Sequence, residues 1–173
     1  SELADGLEAG EATGDPLLDL MASKLPKFEL MDKPLEAELK NKKEVIKLLA
    51  KPDSAKADYS AFYEYKTSTR KWTQKMVDDS GQVTFYATTI WLKTGKIPSY
   101  IALVCIGTAY NYKGEVQATG EMWEIPTKRT MTDIIKMTAR IRRVWAGIKS
   151  LCEKELLETL QRLRRNKRIK RIL

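Results

Sequence analysis

The chain has 173 residues, with 31 Lys and Arg against 23 Asp and Glu, two Cys and no His. Without histidine, a His-based catalytic triad, an imidazole general base and any His-ligated metal site are excluded. The net charge of +8 favours an anionic partner such as RNA, DNA or an acidic lipid surface, with simple solubility as the alternative.

Two features bear on where the protein works. Cys105 and Cys152 lie far apart within apolar patterns, which predicts buried, reduced thiols and an intracellular protein of the cytoplasm or nucleus. The longest apolar run, 100–107, is far shorter than the roughly 20 residues of a membrane-spanning helix. We therefore expect a soluble or peripheral protein.

The N-terminal segment is acidic. Residues 1–23 carry six acidic side chains and no basic one, a composition that predicts a disordered arm, which we extend to residue 30. Within it, Asp15 as N-cap and Pro16 in the first turn predict a short helix that forms on docking. The candidate docking residues are Leu17, Leu18, Leu20 and Met21. Two interpretations stay open: a motif for the groove of a partner or neighbouring subunit, and an arm that folds onto its own domain.

The next segments predict an α+β domain over residues 31–160. Apolar spacing and the i,i+4 pair Glu36/Lys40 predict a helix of about four turns within 33–51. From 59 to 125, runs rich in Val, Ile, Thr, Tyr and Trp alternate with glycine-containing turns, which predicts a four-stranded antiparallel meander. The second strand is expected at 82–92. The third, 99–110, is apolar on both faces, so either helices cover both faces or one face meets another subunit.

A long C-terminal helix is predicted after Pro126. Thr130 and Asp133 suit a capping pair, and apolar residues from Ile134 onward recur at helical spacing to about residue 165. Seven basic residues and no acid fill 161–173, a basic tail that continues this helix. Such a charge run repels itself unless an anion is present, and its interspersed apolar groups also suit an acidic lipid surface.

The sequence contains few signals of catalytic chemistry. A P-loop, a dinucleotide-binding glycine motif, a nucleophile elbow and a kinase signature are all missing from the sequence. Asp78 and Asp79 form an acidic pair, but they lie in a predicted turn, where Asp is favoured for conformational reasons. The sequence therefore predicts a protein that is not an enzyme, with no catalytic residues, no metal site and no cofactor.

The anion-binding signal is stronger than any catalytic one, because Lys and Arg on a helix bind phosphates. The candidate nucleic-acid or anionic-lipid contacts lie at the two ends of the long helix: Lys128, Arg129, Lys136, Arg140, Arg143, Arg162, Arg164, Arg165, Lys167, Arg168, Lys170 and Arg171. A second candidate surface is the first two strands, where aromatic residues such as Trp72 alternate with Lys66, Arg70 and Lys71. There, base stacking beside phosphate contacts and ordinary core packing are the two interpretations.

The strand-to-helix passage ATGEMWEIPTKRTMTDIIKM, residues 118–137, together with size and basic charge, resembles the small matrix proteins of negative-strand RNA viruses, of the plant rhabdovirus type. The resemblance covers about a fifth of the chain, and the Pro-Pro-x-Tyr motif of many animal rhabdovirus matrix proteins is missing. It implies a protein that self-associates, condenses ribonucleoprotein and bridges it to a membrane in the virion.

The sequence alone thus favours a non-enzymatic, self-associating structural protein that binds RNA or ribonucleoprotein and an acidic membrane surface. One alternative is a nucleic-acid-binding regulator of the silencing-suppressor or coat type. The other is an intracellular adaptor that docks a partner through residues 15–21.

Overall fold

A computed structural model of the protein describes the backbone of residues 15–169 and the side chains of residues 15–159. This part of the chain forms two compact units, residues 15–135 and residues 136–169. The second unit is the greater part of one long helix. The predicted boundaries at residues 30 and 160 stay predictions.

The described residues form an α+β fold with four helices and seven strands. The helices are α1 (Pro16–Ser23), α2 (Gln74–Asp78), α3 (Gly81–Thr94) and α4 (Met131–Ile169). The strands are β1 (Leu30–Met31), β2 (Leu35–Lys40), β3 (Val45–Ala50), β4 (Ser54–Ala55), β5 (Ala61–Ser68), β6 (Tyr100–Tyr110) and β7 (Val116–Thr127).

The main sheet has five strands in the order β1-β4-β5-β6-β7. Neighbours in it are antiparallel except β5 and β6, which are parallel. The connection between those two strands contains α2 and α3, because a parallel pair needs a crossover rather than a hairpin. The α+β class is therefore confirmed, whereas the predicted four-stranded antiparallel meander is wrong.

The predicted second strand, 82–92, is the helix α3. The side chain of Ser80 caps its start by accepting from the Val83 amide at 3.3 Å, and Gly95 ends it with φ 74°. Thr88 and other threonines donate to the carbonyl four residues earlier, a bond that satisfies a β-branched hydroxyl within a helix. Capping and 3.6-residue burial thus outweigh the strand propensity of Val, Thr and Ile.

The predicted helix over 33–51 is a hairpin of β2 and β3. Burial alternates strictly along both strands, the period of a strand with one covered face. Asn41 begins the turn, where its side-chain oxygen accepts from the amides of Lys43 and Glu44. The i,i+4 spacing of Glu36 and Lys40 was misleading, and Lys40 contacts Glu38 at 2.9 Å on the exposed face of the strand.

The buried strand β6 is covered on both faces within residues 15–135. Ala102, Val104 and Ile106 pack with Met21 and Leu25, which lie in and just after α1. On the opposite face, Ile101 packs in the cluster that contains Val83, Ala87 and Ile90 of α3, together with Leu35 of the hairpin. Of the two alternatives left open for this strand, coverage of both faces by helices is the correct one.

The short helix α1 is confirmed, but it is not part of a disordered arm. Asp15 accepts from the amides of Leu17 and Leu18, and its other carboxylate oxygen accepts from the Ala118 amide of β7 at 2.9 Å. Of the predicted arm, residues 1–14 lie outside the described part of the chain. The capping pair at the start of α4 is also confirmed, because Asp133 accepts from both the amide and the hydroxyl of Thr130 at 2.7 Å.

Candidate functional site

Three carboxylates stand in one row across the neighbouring strands β1, β4 and β5. The register pairs Met31 with Ser54 and Ser54 with Tyr63. One step further along the same register, Asp32, Asp53 and Glu64 therefore lie side by side. The Asp32 amide donates to the Asp53 carbonyl at 2.9 Å, which fixes this alignment. We call these three residues the carboxylate row.

The carboxylate row is buried. Asp32, Asp53 and Glu64 are 4%, 1% and 0% exposed. Like charges directly opposite each other on neighbouring strands destabilise a sheet, and burial raises the cost of each charge. Two lysines partly offset this cost of burying negative charge: Lys51 forms an ion pair with Asp32, and Lys66 forms one with Glu64 at 2.5 Å. Their side chains, 47% and 26% exposed, connect the row to solvent.

Glu64 has one carboxylate oxygen in an ion pair and one without a partner. Its Oε1 accepts from Lys66 Nζ, whereas its Oε2 is buried and has no hydrogen-bond partner. Burial first, and then repulsion from Asp53, raise the pKa of the Glu64 carboxyl to about 7, against the opposing effect of Lys66. A buried carboxylate oxygen with no donor nearby is rare in native proteins and calls for an explanation.

Asp53 is held in place by the backbone of the neighbouring strand. Its Oδ2 accepts from the Tyr65 amide at 2.6 Å, and Tyr65 itself is fixed because its hydroxyl donates to the Pro26 carbonyl at 2.6 Å. Because Tyr65 adjoins Glu64, this hydrogen bond holds the Asp53 carboxylate beside that of Glu64. The two acids are thus positioned by rigid strands rather than by loops.

Helix α3 contributes an aromatic hydroxyl to the same place. The Tyr86 ring lies 6.1 Å from that of Phe62, centroid to centroid, and Gln82 donates to the Tyr86 hydroxyl at 2.9 Å. Burial raises the pKa of Tyr86, and the charges of Glu64, Asp53 and Asp32 raise it further. The Tyr86 hydroxyl is therefore close enough to the carboxylate row to experience its electric field.

The carboxylate row offers a divalent cation two side chains rather than a full set of protein ligands. In the part of the chain that the structure describes, no group of three or more Asp, Glu, Cys or His side chains is placed to hold a metal ion. Mg²⁺ commonly binds through one or two carboxylates while it keeps several waters and takes phosphate oxygens of a substrate. Asp53 and Glu64 supply two carboxylates, and the partnerless Oε2 of Glu64 is an acceptor that such an ion would satisfy.

Sequence reasoning missed this site for two reasons: the β2–β3 hairpin was predicted as a helix, and the first predicted strand, which is β5, was taken to have one solvent-exposed face. In the predicted helix within 33–51, Asp53 lies just after the end of the helix, where an acid is unremarkable. In the first predicted strand, Glu64 and Lys66 are polar residues of a face that was expected to be exposed. The available signal was that Glu64 and Lys66 share a strand face with Phe62, which is apolar, so that face places charge inside the protein. An acid and a base two residues apart on a buried strand face are not a solvated pair.

The predicted anion-binding residues fall into three groups. Lys128 is exposed in the first unit, and Lys136, Arg140 and Arg143 are exposed on α4 in the second. The remaining predicted contacts lie beyond the residues whose side chains are described: Arg162, Arg164, Arg165, Lys167, Arg168, Lys170 and Arg171. Arg129, in contrast, is 7% exposed and is not part of a basic surface.

Arg129 is a structural residue. Its guanidinium donates to the hydroxyls of Thr84 and Thr127 at 2.8 and 2.7 Å and to the carbonyl of Val77 at 2.9 Å. Thr127 in turn donates to Asp78 at 2.7 Å, so this acid is also engaged within the fold. Arg129 thus joins the α2–α3 connection to the end of β7, which leaves its donors no room for a phosphate.

The predicted docking residues of α1 divide between the core and the surface. Met21 is 6% exposed and belongs to the core with Tyr63 and Tyr65, and Leu18 packs against that cluster. Leu17 and Leu20 are 40% and 50% exposed. Within the described chain, α1 is therefore folded onto its own domain, which is one of the two interpretations that the sequence left open.

The two cysteines differ. Cys105 is buried, as predicted, and burial raises the pKa of its thiol to about 11, whereas Cys152 on α4 is exposed, which corrects the prediction of two buried thiols. Over the residues described, no helix is both long and apolar enough to cross a bilayer.

Comparisons with known proteins do not assign the chain to a family. Neither a protein-family model nor a curated protein matches the chain. A solved structure, the crystal structure of SSO0001, matches at 16% identity with a TM-score of 0.40, over 65% of this chain. The chain spans about half of that structure's length, 49%.

Proposed function

We propose that this protein hydrolyses phosphodiester bonds in nucleic acid with a divalent cation held at Asp53 and Glu64. The observation that carries the proposal is the buried, partnerless Oε2 of Glu64 beside a second buried carboxylate. Fold stability alone gives no reason to retain such a pair, since an amide or apolar side chain costs less to bury. A site for a cation does give one.

The residues around the carboxylate row have distinct roles in this proposal. When bound, a divalent cation withdraws electron density from a phosphoryl oxygen. Lys66, whose ammonium lies 2.5 Å from Glu64, stabilises the negative charge that develops on the phosphoryl oxygens. Tyr86 offers a hydroxyl donor from the opposite helix. In the reaction, water adds to phosphorus and a P–O bond breaks, which yields a phosphomonoester and a free hydroxyl.

Nucleic acid is the substrate that the charge distribution favours. The net charge is +8, although the site itself is acidic, so phosphates bind elsewhere on the surface and the acids serve the cation. Exposed bases such as Lys128 in the first unit and Arg140 and Arg143 in the second are available for backbone contacts.

The test is cleavage of a labelled single-stranded and a labelled duplex oligonucleotide in Mg²⁺, Mn²⁺, Ca²⁺ and EDTA. We expect product with Mg²⁺ or Mn²⁺ and none with EDTA. Asp53→Asn, Glu64→Gln and Lys66→Ala each remove the activity, whereas Glu121→Gln, an exposed acid of β7, retains it. Cleavage that survives in EDTA, or in all three site variants, refutes the proposal.

A second candidate is the non-enzymatic structural protein suggested by the sequence, with RNA, ribonucleoprotein or an acidic membrane as partner. It is favoured by α4, on which Ile148, Leu151 and Leu156 are 45%, 65% and 61% exposed, an apolar surface of the kind that mediates self-association. Replacing Ile148 and Leu151 by Ser then converts an oligomer into a monomer and weakens ribonucleoprotein condensation. A wild type that is monomeric at high concentration excludes this function. The compartment and the viral resemblance stay predictions.

A further inference from the structure

Two tryptophans form a surface pocket on the face of the sheet that carries the carboxylate row. Trp72, in the segment after β5, and Trp123 of β7 both pack against the buried Leu103 and Cys105 of β6. The pocket has a volume of about 660 Å³, and Lys71, Gln74 and Pro126 also line it. We call this the tryptophan pocket.

The Trp123 ring is held in a fixed position. A Cβ on Gly107 would lie 3.0 Å from the ring atom Cη2 of Trp123, so the ring packs closely over a residue that has no side chain. Lys71 Nζ lies 5.6 Å from the ring centroid. Both tryptophans are half-buried, and Lys71 is exposed. The Lys71 ammonium lies over the ring, so a base that stacks on the indole displaces it, and the displaced ammonium is then free to contact the phosphate of the same nucleotide.

The pocket is aligned with the carboxylate row. Lys66 of β5 pairs with Cys105 of β6, and Cys105 pairs with Trp123 of β7. Trp123 therefore stands level with Lys66, two strand spacings away, or roughly 10 Å. A strand whose phosphate lies at Lys66 can thus place a nearby base in the tryptophan pocket.

We infer that the tryptophan pocket binds an unpaired base of a single-stranded nucleic acid, with Lys71 contacting its phosphate. This inference rests on the proposed function for its substrate class, and it narrows that class to single strands or single-stranded ends. Bases inside a duplex cannot stack on a protein ring, because both faces of each base are already covered by its neighbours.

The inference is tested by binding, in EDTA and at low salt, where no cleavage occurs. The probe is a fluorescein-labelled dodecamer of thymidine, compared with the same oligonucleotide in which abasic sites replace the bases. We expect Trp123→Ala to weaken binding of the thymidine strand by about 5-fold to 150-fold, the range measured for loss of one base–aromatic stack. Trp123→Phe, which keeps an aromatic face, retains most of the affinity.

The matched control is Tyr112→Ala. Tyr112 is 93% exposed at the tip of the β6–β7 hairpin and also has a lysine over its ring, Lys113 at 5.6 Å, but it lies outside the tryptophan pocket. We expect no change in affinity there. Wild type prefers thymidine over the abasic strand, and Trp123→Ala loses that preference, which a general loss of folding does not mimic.

Equal affinity of wild type and Trp123→Ala, or equal binding of both strands by wild type, overturns the inference. If Trp123→Ala does not fold, the comparison of the two strands on wild type and Trp123→Phe still decides the matter. The two proposals can fail separately. Absence of cleavage by a wild type that prefers the thymidine strand contradicts the proposed hydrolysis alone, and cleavage by a wild type without that preference contradicts the tryptophan pocket alone.

Discussion

Replacing Glu64 by Gln is expected to make the metal-free protein more stable, the opposite of the usual result for a buried polar substitution. The wild-type carboxylate is 0% exposed, has one oxygen without a partner and faces Asp53. Gln has the same shape, carries no charge and brings an amide donor. Below the ordinary pKa of 4.5 both side chains are neutral, so the gain in stability is absent there.

The size and pH dependence of this gain follow from the Glu64 pKa. Because folding raises that pKa, the ionised form destabilises the native state, and the penalty grows from pH 4.5 until it is complete above about pH 7. At 1.36 kcal/mol per pH unit, the difference between about 7 and 4.5 corresponds to a penalty on the order of 3 kcal/mol. The attraction of Lys66 is already included in that pKa, so we expect a gain on the order of 3 kcal/mol at pH 8.

The assay is urea denaturation at pH 4.5 and pH 8, in EDTA and in Mg²⁺. Mg²⁺ at ten times its dissociation constant stabilises wild type by about 1.4 kcal/mol, since it binds the folded state alone. Glu64→Gln is expected to lose that response, and Glu121→Gln is the exposed control. A variant that is less stable than wild type at pH 8 in EDTA, or that responds to Mg²⁺ as wild type does, refutes the reasoning.

Three further predictions concern the scaffold and the basic helix. Arg129→Lys lowers the free energy of unfolding by about 3 kcal/mol, because several buried acceptors lose charge-assisted hydrogen bonds; Lys128→Ala is the exposed control, and equal stability of the two contradicts the structural role. Ser80→Ala costs about 1 kcal/mol in thermal or urea unfolding through loss of the α3 N-cap, and an unchanged midpoint would show that the cap is dispensable. Replacing Arg140 and Arg143 by Ala reduces the slope of log K against log salt for a single strand by about 1.4, if each contacts one phosphate; an unchanged slope places the nucleic acid elsewhere.

Where short-range signals acted alone, the sequence was sufficient to predict the local structure. Asp15 before Pro16 predicted α1, and Thr130 with Asp133 predicted the start of α4, because a cap depends on a few adjacent residues. The apolar pattern of β6 predicted coverage of both faces. These features require no knowledge of the rest of the fold.

Where tertiary contacts decide between two patterns, the sequence was misleading. The stretch 35–40 has both the i,i+4 pair Glu36/Lys40 and strict alternation, and the strand prevails because it buries Leu35, Ala37 and Leu39 on one face. In α3 the strand formers Val83 and Ile90 lie on the buried face of a helix. Propensity is a weak criterion when burial of an apolar face stabilises the alternative.

The candidate site was the part that local reading was least able to find, since it depends on the register between strands distant in sequence. Asp32, Asp53 and Glu64 are separated by 21 and 11 positions, and only the pairing of β1, β4 and β5 aligns them. The prediction that Arg129 binds phosphate was wrong for a related reason. Its guanidinium donates to groups of α2 and α3, which are distant in sequence and reach it only in the folded protein. Charge counted along a chain does not distinguish a basic surface from a buried hydrogen-bonding group.

The buried acids of the carboxylate row and the exposed bases around it are both consistent with the proposed nuclease activity. A nuclease site is necessarily acidic where it holds the cation, yet its substrate is a polyanion that this acidity repels, so compensating bases must lie outside the row. Lys51 and Lys66 provide that compensation at the row itself, and Lys71 provides it at the tryptophan pocket. A non-enzymatic phosphate-binding protein needs the bases but has no use for Asp53 and Glu64 buried side by side. The burial of that unfavourable pair, rather than the net charge of +8, is the observation that favours the proposed hydrolysis over binding alone.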